Sequence, residues 1–214
     1  MNDLQSRFNL NSLINPAAYA KFIHLLQAVA PEVSAKQAEQ IAVALNEWLL
    51  PISGTSANDE SYARHRPPYR AAHRFMTSIS ELRLVAGVTP IIYQRLLPYV
   101  AAYPDSDTAA INVNTASLPV LLTLSPSMTV AEAEEIIARR KQQPFTDTRN
   151  FLALPAIAKY NITGDDVVVT STFFMVVATV AQGQQSLTMY TLLQRLVMAQ
   201  TIQAKIIWQT QNTE

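Results

Sequence analysis

Histidine, serine and carboxylate side chains are the groups through which this sequence could do chemistry, and they are sparsely placed. The three histidines are His24, His65 and His73. His24 sits in an apolar helical stretch, Phe22-Ile23-His24-Leu25, where a ring reads as a surface or core residue and not as a base. No Gly-x-Ser-x-Gly turn is present, and four glycines in all argue against a strained nucleophile elbow. A phosphate-cradling glycine loop is missing too. With no cysteine, disulfides, thiolate metal centres and sulfur nucleophiles are excluded. Acidic residues gather in two loop stretches, Asn58-Asp59-Glu60 and Asp105-Ser106-Asp107. Hard oxygens in loops suit calcium, which takes about six to eight of them. The sequence points to a non-enzyme.

Arg64, Arg66, Arg70 and Arg74, with His65 and His73, form the densest basic cluster. Such a cluster can meet an anionic partner. The blander reading is a solvated connection whose arginines pair with Asp59, Glu60 or nearby carbonyls. The whole chain carries 16 basic and 16 acidic residues, so it lacks the cationic excess that drives phosphate binding, and no nucleic-acid partner is expected. Hydrophobic residues make up 49% and charged residues 15%, enough apolar material for a folded core. Its 214 residues fit one large or two small domains.

Hydrophobic periodicity divides the chain into three regions. Residues 6–13 alternate Phe8 and Leu10 with Asn9 and Asn11, the pattern of a half-buried strand. Residues 15–160 carry helix signals. Asn15 before Pro16, Thr89 before Pro90, Thr115, Thr129 with Glu132, and Asp147 are N-cap candidates. Ser34 with Gln37 makes a capping box ahead of Ala38, Ile41, Ala42, Leu45, Trp48 and Leu49 on one face. Ser78 with Glu81 starts a further helix that Gly87 ends. Residues 51–70 read as a polar connection. From about 166 strands take over. Val167–Ala181 is apolar on both faces, as in a buried central strand. Gly183 marks a turn, and strands follow over 186–198 and 203–209.

The most specific stretch runs from Ile111 to Leu154. Two short helices joined by Ser125-Pro126-Ser127-Met128 are followed by Phe145 and a third helix, with a weaker copy from Glu81 through Gly87 to Leu97. This resembles the helix-hairpin-helix module of DNA-binding proteins, which is the alternative reading. The turn lacks glycine, however, and Pro126 has no N–H to offer a phosphate. Four ordered blocks carry a fuller resemblance, to the K-class minor pseudopilins of type II secretion. They are Arg7-Phe8-Asn9-Leu10-Asn11, Pro67-Pro68-Tyr69-Arg70-Ala71, Ser80-Glu81-Leu82-Arg83-Leu84-Val85 with Gly87, and Ile111-Asn112-Val113-Asn114-Thr115-Ala116 with Phe145.

That resemblance implies an α+β fold: a pilin-like antiparallel sheet with a large all-helical domain of helical hairpins inserted after the first strand. Residues 1–15 and 161–214 would form the scaffold and 16–160 the insertion, with Arg7–Asn11 pairing to the strands after Val167. It further implies a non-catalytic tip subunit that initiates or caps the fibre. Its partners would be I- and J-class minor pseudopilins and exported substrate proteins. It would be periplasmic, held in the inner membrane by an apolar helix expected upstream of Met1. K-class members can carry calcium near an acidic stretch before the Tyr-x-x-x-x-Pro-Pro-Tyr region. Asp59 and Glu60 hold that position before Tyr62 and are the candidate ligands, although the aspartate-rich segment usual after Trp-Leu reads Leu50-Pro51-Ile52 here.

Overall fold

The computed structural model describes residues 1–51, 57–104, 106–198 and 201–211. Two short strands, β1 (Asn2–Asp3) and β2 (Phe8–Asn9), lead into a helical body. The body holds α1 (Tyr19–Val29), α2 (Ala35–Leu49), α3 (Ala57–Ala63) and α4 (Pro90–Leu96), then β3 (Val100–Ala101) and β4 (Ile111–Asn112). It continues with α5 (Leu118–Leu121), α6 (Val130–Gln142), α7 (Thr148–Leu152), α8 (Pro155–Ala158) and β5 (Val167–Val168). Three long strands close the chain: β6 (Phe173–Gln182), β7 (Gln185–Met198) and β8 (Thr201–Gln211).

The helices begin where local side chains satisfy free N–H groups. Ser34 and Thr129 form complete capping boxes with Gln37 and Glu132. Asn15 caps a 3₁₀ turn over Pro16–Ala18 that runs into α1. Thr89 Oγ1 accepts from the Ile92 N–H at the start of α4, and Asp147 accepts from Arg149 at the start of α7. Helix α1 buries Phe22, Leu25, Leu26 and Val29 against Ala38, Ile41, Ala42 and Leu45 of α2. Each such fully buried Leu or Phe is worth about 1.5–3 kcal/mol relative to exposure.

Gly87 turns the chain at φ +82, and a Cβ there would lie 3.0 Å from Ile41 Cγ1. Gly87→Ala is therefore expected to destabilise by about 1–2 kcal/mol, from left-handed strain plus displacement of Ile41. Urea titration should show a lower midpoint with an unchanged slope.

The first strand differs from expectation. Only Phe8–Asn9 is extended; Leu10–Ile14 coils into a 3₁₀ turn. Asn9 Oδ1 accepts from the Asn11 N–H, an Asx turn that removes this donor from any ladder. The alternation imitated a strand, yet both asparagines are buried. Strand β2 pairs in parallel with β3, not with the C-terminal strands. The chain's start still meets its end, through residues just ahead of the expected stretch. Asn2 and Asp3 pair antiparallel with Met175 and Phe174, which gives the sheet order β1-β6-β7-β8.

Val167–Ala181 is likewise not one buried strand. β5 pairs in parallel with β4, the chain breaks step over 169–172, and β6 then joins the sheet. Past Val176, β6 outruns both β1 and the helical body and is exposed. The two-residue loop at Gly183, φ +62, closes the hairpin to β7.

Two cores result. The larger fills the helical body and reaches past both expected boundaries, taking in Phe8, Leu10 and Leu13 before residue 16 and Val167 after residue 160. The smaller lies under the sheet, where Leu4, Ala101 and Tyr103 pack on Phe173, Met175 and Leu192. Tyr103 stacks on Phe173 with ring centroids 4.8 Å apart.

Candidate functional site

The asparagines of the two Asn-x-Asn blocks stand at the joints of this architecture. In the first block, Asn11 Nδ2 donates to the carbonyls of Met76 (3.0 Å) and Tyr103 (2.9 Å), and its Oδ1 accepts from the Met76 N–H (2.8 Å). In the second, Asn114 Nδ2 donates to the carbonyls of Phe145 (2.8 Å) and Val169 (3.0 Å), and its Oδ1 accepts from the Phe145 N–H (2.9 Å). The two arrangements are the same. A planar amide mimics a peptide group and pairs with one distant residue through both its N–H and C=O, then spends its second N–H on a third segment.

The leading asparagine of each block orients the trailing one. Asn112 Oδ1 accepts from the Asn114 N–H at 2.9 Å, as Asn9 does from Asn11. Asn9 Nδ2 holds the carbonyls of Ser106 and Thr108, while Asn112 Nδ2 donates to Ser171 Oγ and Asp3 Oδ2. These buried and part-buried carbonyls belong to irregular backbone, where side chains must replace the ladder partners that secondary structure supplies. Periodicity could not find these contacts. The signal that could have done so is the recurrence of Asn-x-Asn after an apolar residue, in Phe8-Asn9-Leu10-Asn11 and Ile111-Asn112-Val113-Asn114.

A polar joint ties the sheet to the body. Gln5 donates its N–H to Asp3, lends its carbonyl to the Asn112 N–H, and accepts from the Thr172 N–H through Oε1. Thr115, expected as a helix cap, donates Oγ1–H to Asp3 instead. Helix α5 starts after Ser117 with no side-chain cap bond. Glu81 likewise reaches back to the Thr77 N–H and not to Ser78, and the segment it opens, Ile79–Leu84, is 3₁₀.

Around α6, Glu132 accepts from Lys159 and from Tyr160 Oη as well as from Thr129. The Lys159 hydrogen bond, with Tyr160 and Thr129 behind it, holds this carboxyl well below the usual range. Burial pushes Asp166 up, but Lys21 at 2.5 Å and Thr163 outweigh it and the net shift is downward. For carboxyls depressed in the folded state, stability is present above the unfolded value and lost as pH falls through the folded one. Melting temperature should therefore be level above about pH 5 and fall progressively below it, with a shallower fall in Glu132→Gln.

The basic cluster disperses over the surface. Arg64 faces Glu60 at 3.8 Å, and Arg74 lies between Glu81 and the Phe75 carbonyl. Asp59 is met by His73 rather than by an arginine. In the turn at Ser125–Met128, the Ser127 N–H donates to Ser125 Oγ and the Met128 N–H to the Ser125 carbonyl, so both amides are used within the turn.

Asp59 and Glu60 sit in the first turn of α3 and diverge. Glu60 is exposed beside Arg64, while both Asp59 oxygens have protein donors, Ala71 N–H and the His73 ring. Asp105 lies outside the described residues. Among the described residues no three carboxylates or imidazoles come together. Two divergent carboxylates, one with a protein group already facing each oxygen, are too few for the about six or more oxygens of a calcium shell.

The outer sheet face carries several exposed apolar side chains. Cross-strand pairing puts Val180 beside Leu187, Val197 beside Ile202, and Leu193 beside Ile206. Val180, Val197 and Ile202 are 69%, 67% and 69% exposed. The opposite face packs on the body through Met175, Leu192 and Trp208. No helix among the described residues is long and apolar enough to cross a membrane.

Two family models, both described as type II secretion system (T2SS), protein K, match residues 6–105 and 111–170. Each stretch contains one Asn-x-Asn block. The chain is 30% identical to type II secretion system protein K of Pseudomonas aeruginosa over 204 residues, covering 91% of this chain and 60% of that protein. It is 32% identical to the Klebsiella pneumoniae protein of the same name, covering 74% and 53%. It thus spans between half and two thirds of the length of these relatives. A solved structure, the GspK-GspI-GspJ complex of enterotoxigenic Escherichia coli, contains a chain that superposes with a TM-score of 0.79 at 26% identity, over all of this chain and 78% of that one.

Proposed function

Since the chain belongs to the type II secretion system protein K family of minor pseudopilins, we propose that it acts as a non-catalytic tip subunit of the pseudopilus, initiating or capping the fibre during protein export. The observation that carries this reading is the division of labour between the two sheet faces. One packs on the chain's own body through Met175, Leu192 and Trp208, and the other carries exposed Val180, Val197, Ile202 and Ile206. A face of that kind is a surface for assembly. The helical body stands on one side only, where its bulk would keep a further subunit from stacking.

The motif side chains point the same way. Asn9, Asn11, Asn112 and Asn114 are committed to backbone groups and to one another, which leaves them to hold shape and not to bind substrate. I- and J-class minor pseudopilins are the partners this reading names, in keeping with the complex in which the structural neighbour was solved. The family resemblance adds a periplasmic location and an apolar helix anchored in the inner membrane, and the outer sheet face offers such a helix a seat. Co-expression with the I- and J-class proteins of the same secretion system tests the proposal. Size exclusion should give a stable heterotrimer, and Val197→Asp with Ile202→Asp should weaken it at least tenfold. Elution of the wild-type chain as a monomer beside folded partners would overturn it.

A further inference from the structure

The segment joining α3 to the Asn11–Met76 contact crosses the surface with little regular structure; Tyr69 and the Ala71 N–H hold its middle, and an inward-turned His73 ring fastens it near its end. His73 adopts φ +50, a left-handed conformation that costs a residue with a Cβ about 1–2 kcal/mol. That turn sends its imidazole between two acceptors. Nδ1 lies 2.8 Å from the Leu50 carbonyl just after α2, and Nε2 lies 3.2 Å from Asp59 Oδ2 on α3. The other oxygen of Asp59 takes the Ala71 N–H at 3.4 Å. His73 and Asp59 side chains are each only 14% exposed.

A neutral imidazole has one N–H, whereas two oxygens face this ring; only the doubly protonated ring donates to both. Glu60 turns outward to Arg64, Arg74 is drawn to Glu81, and Glu47 accepts from Asn58. We propose that the imidazole of His73 occupies the place of a metal cation at Asp59, so that the connection over residues 57–76 is locked by the chain's own side chain. His73 is a positioning residue here. It joins the end of α2 to α3, and its Nε2 together with the Ala71 N–H covers the carboxylate that a calcium ion would need.

The test compares the full 214-residue chain in millimolar calcium chloride and in excess EDTA, by thermal melting and by limited proteolysis mapped across residues 57–76. Melts and cleavage of the wild type should superimpose in the two conditions. His73→Ala should be cut several-fold faster within 57–76, in calcium and in EDTA alike. Asp59→Asn, nearly isosteric and so able to keep the fold, should show the same local opening. Adding His73→Gln to Asp59→Asn should change little further, because the pair acts as a unit. Stabilisation of the wild type by calcium would overturn the proposal. So would wild-type cleavage rates in both single variants.

Discussion

Replacing Asn11 by Ala is expected to cost about 3–5 kcal/mol, lowering the melting temperature by on the order of 10 °C. Asn11 is wholly buried, and its amide is the partner of three backbone groups: the Met76 N–H, the Met76 carbonyl and the Tyr103 carbonyl. Alanine would strand all three in a dry interior, and each unsatisfied buried group costs about 1–3 kcal/mol. Partial relaxation or water entry keeps the total below the sum. The loss should exceed that for any single exposed apolar residue of the outer sheet face. Guanidinium unfolding followed by circular dichroism measures it; a loss under about 1 kcal/mol would mean that the amide is dispensable.

Asn114→Asp should cost about 2–4 kcal/mol despite its nearly unchanged shape. The acceptor for the Phe145 N–H survives, but both donors to the Phe145 and Val169 carbonyls are lost. A carboxylate would then face two carbonyl oxygens. The lesion should also be local. Asn114 ties Val113-Asn114 to the Phe145 turn and to the chain leaving β5, all in the second half of the body. Hydrogen exchange should rise over residues 111–170 before it rises over 6–105, the reverse of the order in Asn11→Ala. Uniform acceleration in both variants would show that the two halves open as one.

The contrast between these predictions and the capping boxes shows what the sequence disclosed. Ser34 with Gln37, Thr129 with Glu132, and Asp147 act within three residues of themselves, so local rules located the helices they start. The hairpin at Gly183 and the strands beside it were legible for the same reason. Asn11 and Met76 are 65 residues apart and Asn11 and Tyr103 are 92. No period or propensity encodes that meeting, and the alternation Phe8-Asn9-Leu10-Asn11 imitated a strand because buried amides look polar on paper. Thr115 matched a cap by type, but Asp3, brought close by the fold, took its hydroxyl.

Apolarity misled at Val167–Ala181 for a different reason. Apolar composition alone does not show that a segment is buried by its own chain, and the far half of β6 runs past the helical body and is exposed. The site residues divide similarly. Asp59 and Glu60 are adjacent in a stretch expected to be a loop, but they lie in the first turn of α3, with Glu60 exposed and Asp59 largely covered. Their directions were fixed by His73 and Arg64, the first reaching back from fourteen positions away with a backbone angle that no sequence pattern announces.

The exchange rates of two amides bear most directly on the view that asparagines committed to backbone groups, and not a ligand site, are what the motif blocks provide. Met76 and Phe145 lie outside every helix and strand, and their N–H groups donate to the side-chain oxygens of Asn11 and Asn114. Native-state exchange followed by NMR should find both as slow as amides in the middle of α2. Exchange at the rate of open loop amides would contradict the account.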